Sequence, residues 1–364
     1  MQWERRAPGA GASQRLVGRR RIAARILRPR YDGQNPDAPI VMLMPRFDMD
    51  PHALREYRPE VREPADFDAF WAETIASSRA AGEQVRYERV ASPFTLVDVY
   101  DVTFSGYAGE PVRAWLTVPA RAEEPLPTVV EYNGYGGGRG LAGERLGWAN
   151  AGYAHLLMDT RGQGSMWGTG GDTPDPHGTG PSVSGFMTRG IEDPAQYYYR
   201  RVFTDAVRLV DAARTLDIVD ADRVAVCGGS QGGGIALAAG ALSEGLVAVM
   251  PDVPFLCHFE RAVGLTDADP YQEIVRYLAV HRHTEERVFT TLSYFDGVNM
   301  ARRSHAPALF STALHDQTCP PSTVFAARNH YAGEADIEVY PHNQHEGGLM
   351  YQWLVQAEFL AARV

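Results

Sequence analysis

Residues 224–241 read VAVCGGSQGGGIALAAGA, and this stretch decides the fold class. It begins with a short apolar run typical of a buried strand and ends with an alanine-rich run typical of a helix. Between the two runs, residues 228–232 follow the pattern G-x-S-x-G around Ser230. A strained strand-to-helix turn of this kind exposes a serine hydroxyl, and the glycines beside it remove Cβ atoms that would clash. The stretch predicts a nucleophile elbow rather than a glycine-rich turn with an incidental serine.

Short apolar runs alternate with helical patterns along most of the chain. A helix is predicted over residues 66–81, and the runs at 97–106 and 112–119 predict a hairpin. Further helical patterns include residues 140–152. Strand alternating with helix predicts a doubly wound, mostly parallel sheet with helices on both faces. Together with the nucleophile elbow, this pattern indicates an α/β-hydrolase fold.

Three segments depart from this alternation. Residues 168–196 form a loop rich in glycine and proline, and loops of this length are generally functional or lie at interfaces. Residues 255–303 are predicted to be a helical insertion between two strands. Residues 1–43 carry an arginine-rich stretch and are predicted to be a disordered extension, which leaves residues 44–364 as the hydrolase domain.

Composition excludes several classes of chemistry. The chain has no lysine, so it has neither a Walker-type phosphate loop nor a lysine that could form a Schiff base with pyridoxal phosphate. Three widely spaced cysteines, Cys227, Cys257 and Cys319, argue against disulfides and a zinc cluster, and we expect reduced thiols in a cytoplasmic protein. The chain is acidic outside its arginine-rich stretch, and it has no apolar run long enough to cross a bilayer. We therefore expect that it binds neither nucleic acid nor membranes.

A serine nucleophile needs a histidine base that a carboxylate orients. In this fold the partners follow the serine in the order acid, then histidine, and both lie after later strands. Asp316 comes at the end of the apolar run at 306–314, and His345 follows the last predicted strand. His315 and His342 lie nearer their strands than the loop tip, so the sequence predicts a triad of Ser230, Asp316 and His345.

The oxyanion that forms during acyl transfer needs two N–H donors. One comes from the residue after the nucleophile, and the other comes from the loop after an earlier strand. The stretch VVEYNGYGGGRG supplies that loop. We therefore predict that the backbones of Tyr135 and Gln231 are the donors. No register of residues 134–140 fits the rival dinucleotide-binding pattern.

Several longer motifs carry a family resemblance. The motifs GGSQGGGIAL, DTRGQG, YNGYGGGRG, CPPSTVFAARN and HEGG resemble the acetyl xylan esterase / cephalosporin-C deacetylase family, carbohydrate esterase family seven. The resemblance covers nearly everything from Met44 to the C-terminus. By this likeness Ser230, Asp316 and His345 match the family triad, and residues 135 and 231 match its oxyanion positions.

The resemblance also implies an activity and an assembly. Members of the family are serine esterases that use no metal or organic cofactor and remove acetyl groups from small acetylated sugars and from cephalosporin C. They assemble as hexamers whose active sites face an internal cavity, which would place the loop at 168–196 at interfaces. Asn133 stands where the family often has histidine.

Arg161 and Glu346 lie in two of these motifs but have no place in the triad. We expect the two side chains to pair and to hold the His345 loop against the sheet. Two alternatives to the acetyl esterase remain open. One is a carboxylesterase or thioesterase of different acyl preference, and the other is a non-catalytic binding protein with the same fold.

Overall fold

The sheet is built around the apolar strand that precedes Ser230. A computed structural model describes residues 47–178, 180 and 182–364. The predicted extension at residues 1–43 lies outside the described residues. The strands are β1 (Val85–Arg89), β2 (Val97–Ser105), β3 (Pro111–Pro119), β4 (Leu126–Tyr132), β5 (Ala154–Met158), β6 (Val219–Gly229), β7 (Ala248–Asp252), β8 (Ala308–Ala313) and β9 (Ala335–Tyr340).

In the described part of the chain, these strands form one nine-stranded sheet with the order β1-β2-β3-β5-β4-β6-β7-β8-β9. The pairs from β1 to β5 in this order are antiparallel, and they include the predicted hairpin of β2 and β3. The pairs from β5 onward are all parallel. Parallel neighbours place the carboxyl ends of β6, β7 and β8 at one edge of the sheet, where α/β folds build their sites.

Helices follow most strands, as the sequence predicts. They are α1 (Pro51–Glu56), α2 (Phe67–Ala81), α3 (Gly147–Asn150), α4 (Tyr198–Ala213), α5 (Gln231–Leu242), α6 (Phe259–Leu265), α7 (Tyr271–Val280), α8 (Glu285–Ser293), α9 (Gly297–Ala301), α10 (Pro321–His330) and α11 (Met350–Ala361). None of the helices in the described part of the chain has both the length and the apolar character needed to cross a bilayer.

The central part of β6 is buried on both faces, because successive side chains point to opposite sides and each side is covered by packed residues. Val224 and Val226 belong to a core cluster that also contains apolar residues of α4 and α5. Ala225 and Cys227 belong to a second cluster, which includes Trp148 of α3 and part of α11. The sheet therefore has helices on both faces, and the predicted α/β class is confirmed.

The two long interruptions have different structures. Helices α6 to α9 lie between β7 and β8, in the segment 255–303. In the described part of residues 168–196, regular secondary structure is limited to one turn of 3₁₀ helix at Phe186–Thr188. We call residues 168–196 the long loop.

Two local features differ from the sequence prediction. Within residues 140–152 only α3 is helical, because Gly140 and Gly143 adopt φ angles of 65° and 82° in the left-handed region and interrupt the helix. Strand β1 was not predicted from the sequence. Its sequence, VRYER, alternates, but the run is only five residues long and mostly exposed, so the pattern alone does not distinguish it from a loop.

Candidate active site

Ser230 occupies the sharp turn between β6 and α5. Its φ of 56° and ψ of −118° are unusual for a residue with a side chain, as expected for a strained nucleophile elbow. Two backbone hydrogen bonds fix the turn. The N–H of Ser230 donates to the carbonyl of Asp252 at 2.9 Å, and the N–H of Phe255 donates to the carbonyl of Ser230 at 2.9 Å. The ends of β6 and β7 therefore hold the serine in place.

The glycines on either side of the serine let three backbone segments approach closely. A methyl group at Gly228 would lie 2.5 Å from the carbonyl carbon of Gly232. A methyl group at Gly232 would lie 2.8 Å from the carbonyl carbon of Tyr132, and still closer to its oxygen. Neither distance allows a carbon atom without movement of the backbone. The G-x-S-x-G pattern thus reflects close contact between the elbow and the end of β4.

The three predicted triad residues meet at the carboxyl edge of the sheet. Nε2 of His345 lies 3.0 Å from Oγ of Ser230, and Nδ1 of His345 lies 2.9 Å from Oδ2 of Asp316. The other carboxylate oxygen of the fully buried Asp316 accepts the N–H groups of Thr318 and Cys319, each at 2.8 Å. This arrangement orients the imidazole so that Nε2 can take the serine proton.

The two residues predicted to supply the oxyanion donors follow β4 and β6, which are neighbours in the sheet. Among the described residues, the backbone N–H groups of Tyr135 and Gln231 have no acceptor. The side chain of Gln231 is buried and accepts the amide of Gln163 at 2.8 Å and the hydroxyl of Tyr199 at 2.9 Å. Its own amide donates to the carbonyl of Asn133 at 3.2 Å, which joins the start of α5 to the loop after β4.

Asn133 completes the hydrogen bonding of the loop after β4, residues 133–140, which we call the oxyanion loop. Its side-chain amide donates to the carbonyl of Met158 at 2.7 Å, and its side-chain oxygen accepts from Arg145 at 2.8 Å. The residue is fully buried. Asparagine therefore ties the end of β4 to the end of β5, and both of its polar groups have partners.

Comparison with known proteins places this geometry in a family. Residues 44–363 match the family described as acetyl xylan esterase (AXE1). The chain belongs to the acetyl xylan esterase family. This confirms the resemblance predicted from the sequence motifs, and it supports the predicted acetyl ester hydrolase.

Solved structures of acetyl xylan esterases are similar over most of the chain. The acetyl xylan esterase from Paenibacillus sp. R4 is 41% identical with a TM-score of 0.81, and the comparison covers 87% of this chain and 100% of that one. Acetyl xylan esterase 1 from Thermoanaerobacterium sp. JW/SL YS485 is 33% identical with a TM-score of 0.79 and the same coverage. Both likenesses confirm the α/β-hydrolase fold.

A curated relative is longer than the region it shares with this chain. The acetyl esterase Axe7A of Xylanibacter ruminicola is 27% identical over 292 residues. The match covers 79% of this chain, and the chain spans 65% of the relative's length.

Asp252, at the end of β7, is a further carboxyl group beside the triad of this acetyl xylan esterase family member. Its side chain accepts a hydrogen bond from the hydroxyl of Ser311. A methyl group at Gly347, in the loop that carries His345, would lie 3.5 Å from Oδ1 of Asp252. Burial raises the pKa of Asp252 to about 6, although the hydrogen bond from Ser311 acts in the opposite direction. The only sequence signal was an aspartate that ends an apolar run at this edge of the sheet.

The raised pKa of Asp252 predicts a pH-dependent stability. The folded protein binds the proton of Asp252 more tightly than the unfolded chain does. The stability that this proton contributes to the folded state is therefore present below about pH 4 and is lost as pH rises through about 6. Ionisation of this buried carboxyl group, with Asp316 nearby, should cost on the order of 2 kcal/mol, although His345 offsets part of that cost. Urea unfolding at pH 4 and at pH 7 measures this effect. Between the two pH values, the free energy of unfolding of Asp252→Asn should rise by about that much relative to wild type. A difference that does not change with pH would contradict this assignment.

The predicted pairing of Arg161 with Glu346 is wrong. Arg161 is buried and binds both carboxylate oxygens of Asp205, at 2.5 and 2.7 Å, and it also contacts Glu110. Buried Asp205 needs a cation because an uncompensated buried charge is costly. Glu346 is exposed and accepts from Asn343 and from the backbone of Gln344, each at 3.1 Å. Arg161 therefore supports α4, and Glu346 organises the His345 loop locally.

The three cysteines of this family member are free and buried, as expected for reduced thiols. Burial raises the pKa of the thiols of Cys227, Cys257 and Cys319. One donor atom each from Asp316, Cys319 and His345 lies within 4.8 Å of the others, a donor set that suits zinc. Asp316 and His345 already take part in the hydrogen bonds of the triad. That the reaction needs no metal stays a prediction.

Proposed function

We propose that this protein is a serine esterase that removes acetyl groups from small substrates such as acetylated xylo-oligosaccharides and cephalosporin C. The observation that carries the proposal is the hydrogen-bonded series of Ser230, His345 and Asp316 in a member of the acetyl xylan esterase family. The names of the similar solved structures support acetylated xylan fragments as the substrate class.

In the first half of the reaction, Oγ of Ser230 attacks the acetyl carbonyl carbon while its proton passes to Nε2 of His345. The carbonyl oxygen becomes an oxyanion that accepts the N–H groups of Tyr135 and Gln231. The bond to the leaving alcohol then breaks, and the alcohol oxygen takes the proton from His345. An acetyl group remains on Ser230. Asp316 stabilises the imidazolium while His345 carries the proton.

In the second half, water attacks the acetyl-enzyme. His345 takes a proton from the water as its oxygen bonds to the acetyl carbon, and the same two N–H groups stabilise the second oxyanion. The bond to Oγ breaks, His345 returns the proton to Ser230, and acetic acid leaves and ionises to acetate in solution. The backbone N–H groups that hold Asp316 keep the carboxylate oriented in both halves.

Acyl length gives the test of this function. Each methylene forced into a packed acyl site costs about 1 to 3 kcal/mol, so kcat/KM should fall about tenfold or more from acetyl to butyryl esters. The measurement compares 4-nitrophenyl acetate, propionate and butyrate. A flat series would favour a carboxylesterase of broader preference, and faster turnover of acetyl thioesters than of oxygen esters would favour a thioesterase. Folded protein with no turnover would favour a binding protein.

The natural substrate and the assembly are separate parts of the proposal. Acetylated xylobiose and cephalosporin C should both be deacetylated, and acetate release measures each. The predicted homohexamer, with the long loop at its interfaces, remains a proposal that rests on the family resemblance. The predicted cytoplasmic location remains a proposal that rests on the three widely spaced cysteines.

A further inference from the structure

Glu273, on α7 of the insertion, joins three segments that are far apart in the sequence. Its side chain is buried, with an exposed fraction of 6%. Oε1 accepts the hydroxyl of Tyr135 at 2.7 Å and the N–H of Gly185 at 3.0 Å. Oε2 accepts the N–H of Met187 at 3.1 Å. One carboxylate thus binds the insertion to the long loop and to the oxyanion loop.

Tyr135 is held at both ends. Its hydroxyl also accepts the N–H of Phe186 at 3.0 Å, and its carbonyl accepts Nε1 of Trp167 at 2.7 Å. Its ring packs edge-on against Phe186 and Phe255, with centroids 5.4 and 6.3 Å away. Burial, together with the nearby Glu273, raises the pKa of Tyr135 well above its usual range, so the hydroxyl keeps its proton and donates.

The remaining polar group of Tyr135 is its backbone N–H, which has no acceptor among the described residues. Phe255, against which the tyrosine ring packs, also donates its N–H to the carbonyl of Ser230. The contacts of Tyr135 therefore lead from the insertion and the long loop to the nucleophile turn. Loss of the contacts that hold the tyrosine side chain would let the loop backbone that carries this N–H shift relative to Ser230.

We propose that Glu273 is a positioning residue for the oxyanion hole: by fixing the hydroxyl of Tyr135, it sets the direction of the Tyr135 N–H. This inference rests on the proposed function, in which that N–H binds the oxyanion. The oxyanion exists only after the nucleophile has attacked, so misplacing a donor lowers kcat and leaves substrate binding nearly unchanged. Removing an oxyanion donor entirely costs about 10²- to 10³-fold in kcat, and a displaced donor should cost less.

Two variants test this assignment through different atoms. Glu273→Gln keeps the size of the side chain, but its amide nitrogen must face one of the N–H or O–H donors, whichever way it lies. Tyr135→Phe removes only the hydroxyl and keeps the ring and the backbone N–H, so it tests the link even if the first variant folds poorly. Glu285→Gln, at the exposed start of α8, is the matched control.

The readouts are kcat and KM for 4-nitrophenyl acetate and the inhibition constant of a methyl trifluoromethyl ketone. The ketone adds to the serine hydroxyl and forms an oxyanion without turnover. We expect Glu273→Gln and Tyr135→Phe each to lower kcat about tenfold or more, with KM within about twofold, and to weaken the ketone by the same factor. The double variant should lose no more than the worse single variant, because both changes break one link. The control should match wild type.

Unchanged kcat and ketone inhibition in both single variants would overturn the inference, even with a lower melting temperature, because Glu273 would then only stabilise the fold. Losses that multiply in the double variant would also overturn it, since the two residues would act separately. Wild-type protein that neither turns over acetyl esters nor binds the ketone would instead overturn the proposed function, and the inference with it. Active wild type with active variants overturns the inference alone.

Discussion

Ser230→Ala should reduce turnover of acetyl esters by at least about 10³- to 10⁴-fold while the protein stays folded. Among the described residues, the hydroxyl of Ser230 supplies the one oxygen that is hydrogen-bonded to Nε2 of His345, at 3.0 Å. Without it no acyl-enzyme forms, and only the oxyanion hole and substrate binding can assist water. Initial rates with 4-nitrophenyl acetate and the melting temperature are the two measurements.

A covalent label locates the nucleophile independently of turnover. A fluorophosphonate should add once per chain, and peptide mass spectrometry should find it on Ser230. Ser77→Ala, an exposed serine on α2, is the matched control and should keep full activity and full labelling. Labelling of another residue, or an active Ser230→Ala protein, would refute the assigned nucleophile.

Gly232→Ala should lower the free energy of unfolding by about 3 kcal/mol or more, or prevent folding. The added methyl group would overlap the backbone carbonyl of Tyr132, at the end of β4. That carbonyl belongs to the centre of the sheet and cannot swing away like a flexible side chain. Urea unfolding at neutral pH gives the measurement where the variant is soluble, and the yield of folded protein gives it otherwise.

Gly229→Ala is the matched control, one residue before the serine. A methyl group at Gly229 meets only Oδ2 of Asp252, at 4.0 Å, which is ordinary van der Waals contact. Its stability should stay within about 1 kcal/mol of wild type. If the two alanine variants were equally stable, close backbone approach would not explain the glycine at position 232.

The nucleophile elbow and the triad could be predicted because each depends on local pattern and chain order. The apolar run, the glycines and the alanine-rich run around Ser230 are adjacent in the sequence. Asp316 and His345 follow later strands, and parallel strands bring their carboxyl ends to one edge. Their mutual distances are those that the order of the elements implies. The motifs also identified the family.

Local pattern failed where the conformation of single residues decided the outcome. Residues 140–152 have helical spacing of apolar side chains, but the glycines at 140 and 143 take left-handed φ angles and leave only the short α3. Strand β1 pairs with β2 through backbone hydrogen bonds that its exposed side chains do not reveal. The alternation in VRYER spans only five residues, and pairing with β2 is what makes this segment a strand.

The sequence by itself determined the fold class, the family and the three triad residues, because short contiguous motifs encode them. Tertiary structure alone decided which buried charges pair. Arg161 binds Asp205 of α4 instead of Glu346, and Glu273 of the insertion binds Tyr135, a residue 138 positions away. A buried ionic or polar group takes whichever partner the packed elements bring within hydrogen-bonding distance. That choice depends on how helices and loops dock, and no local motif records it.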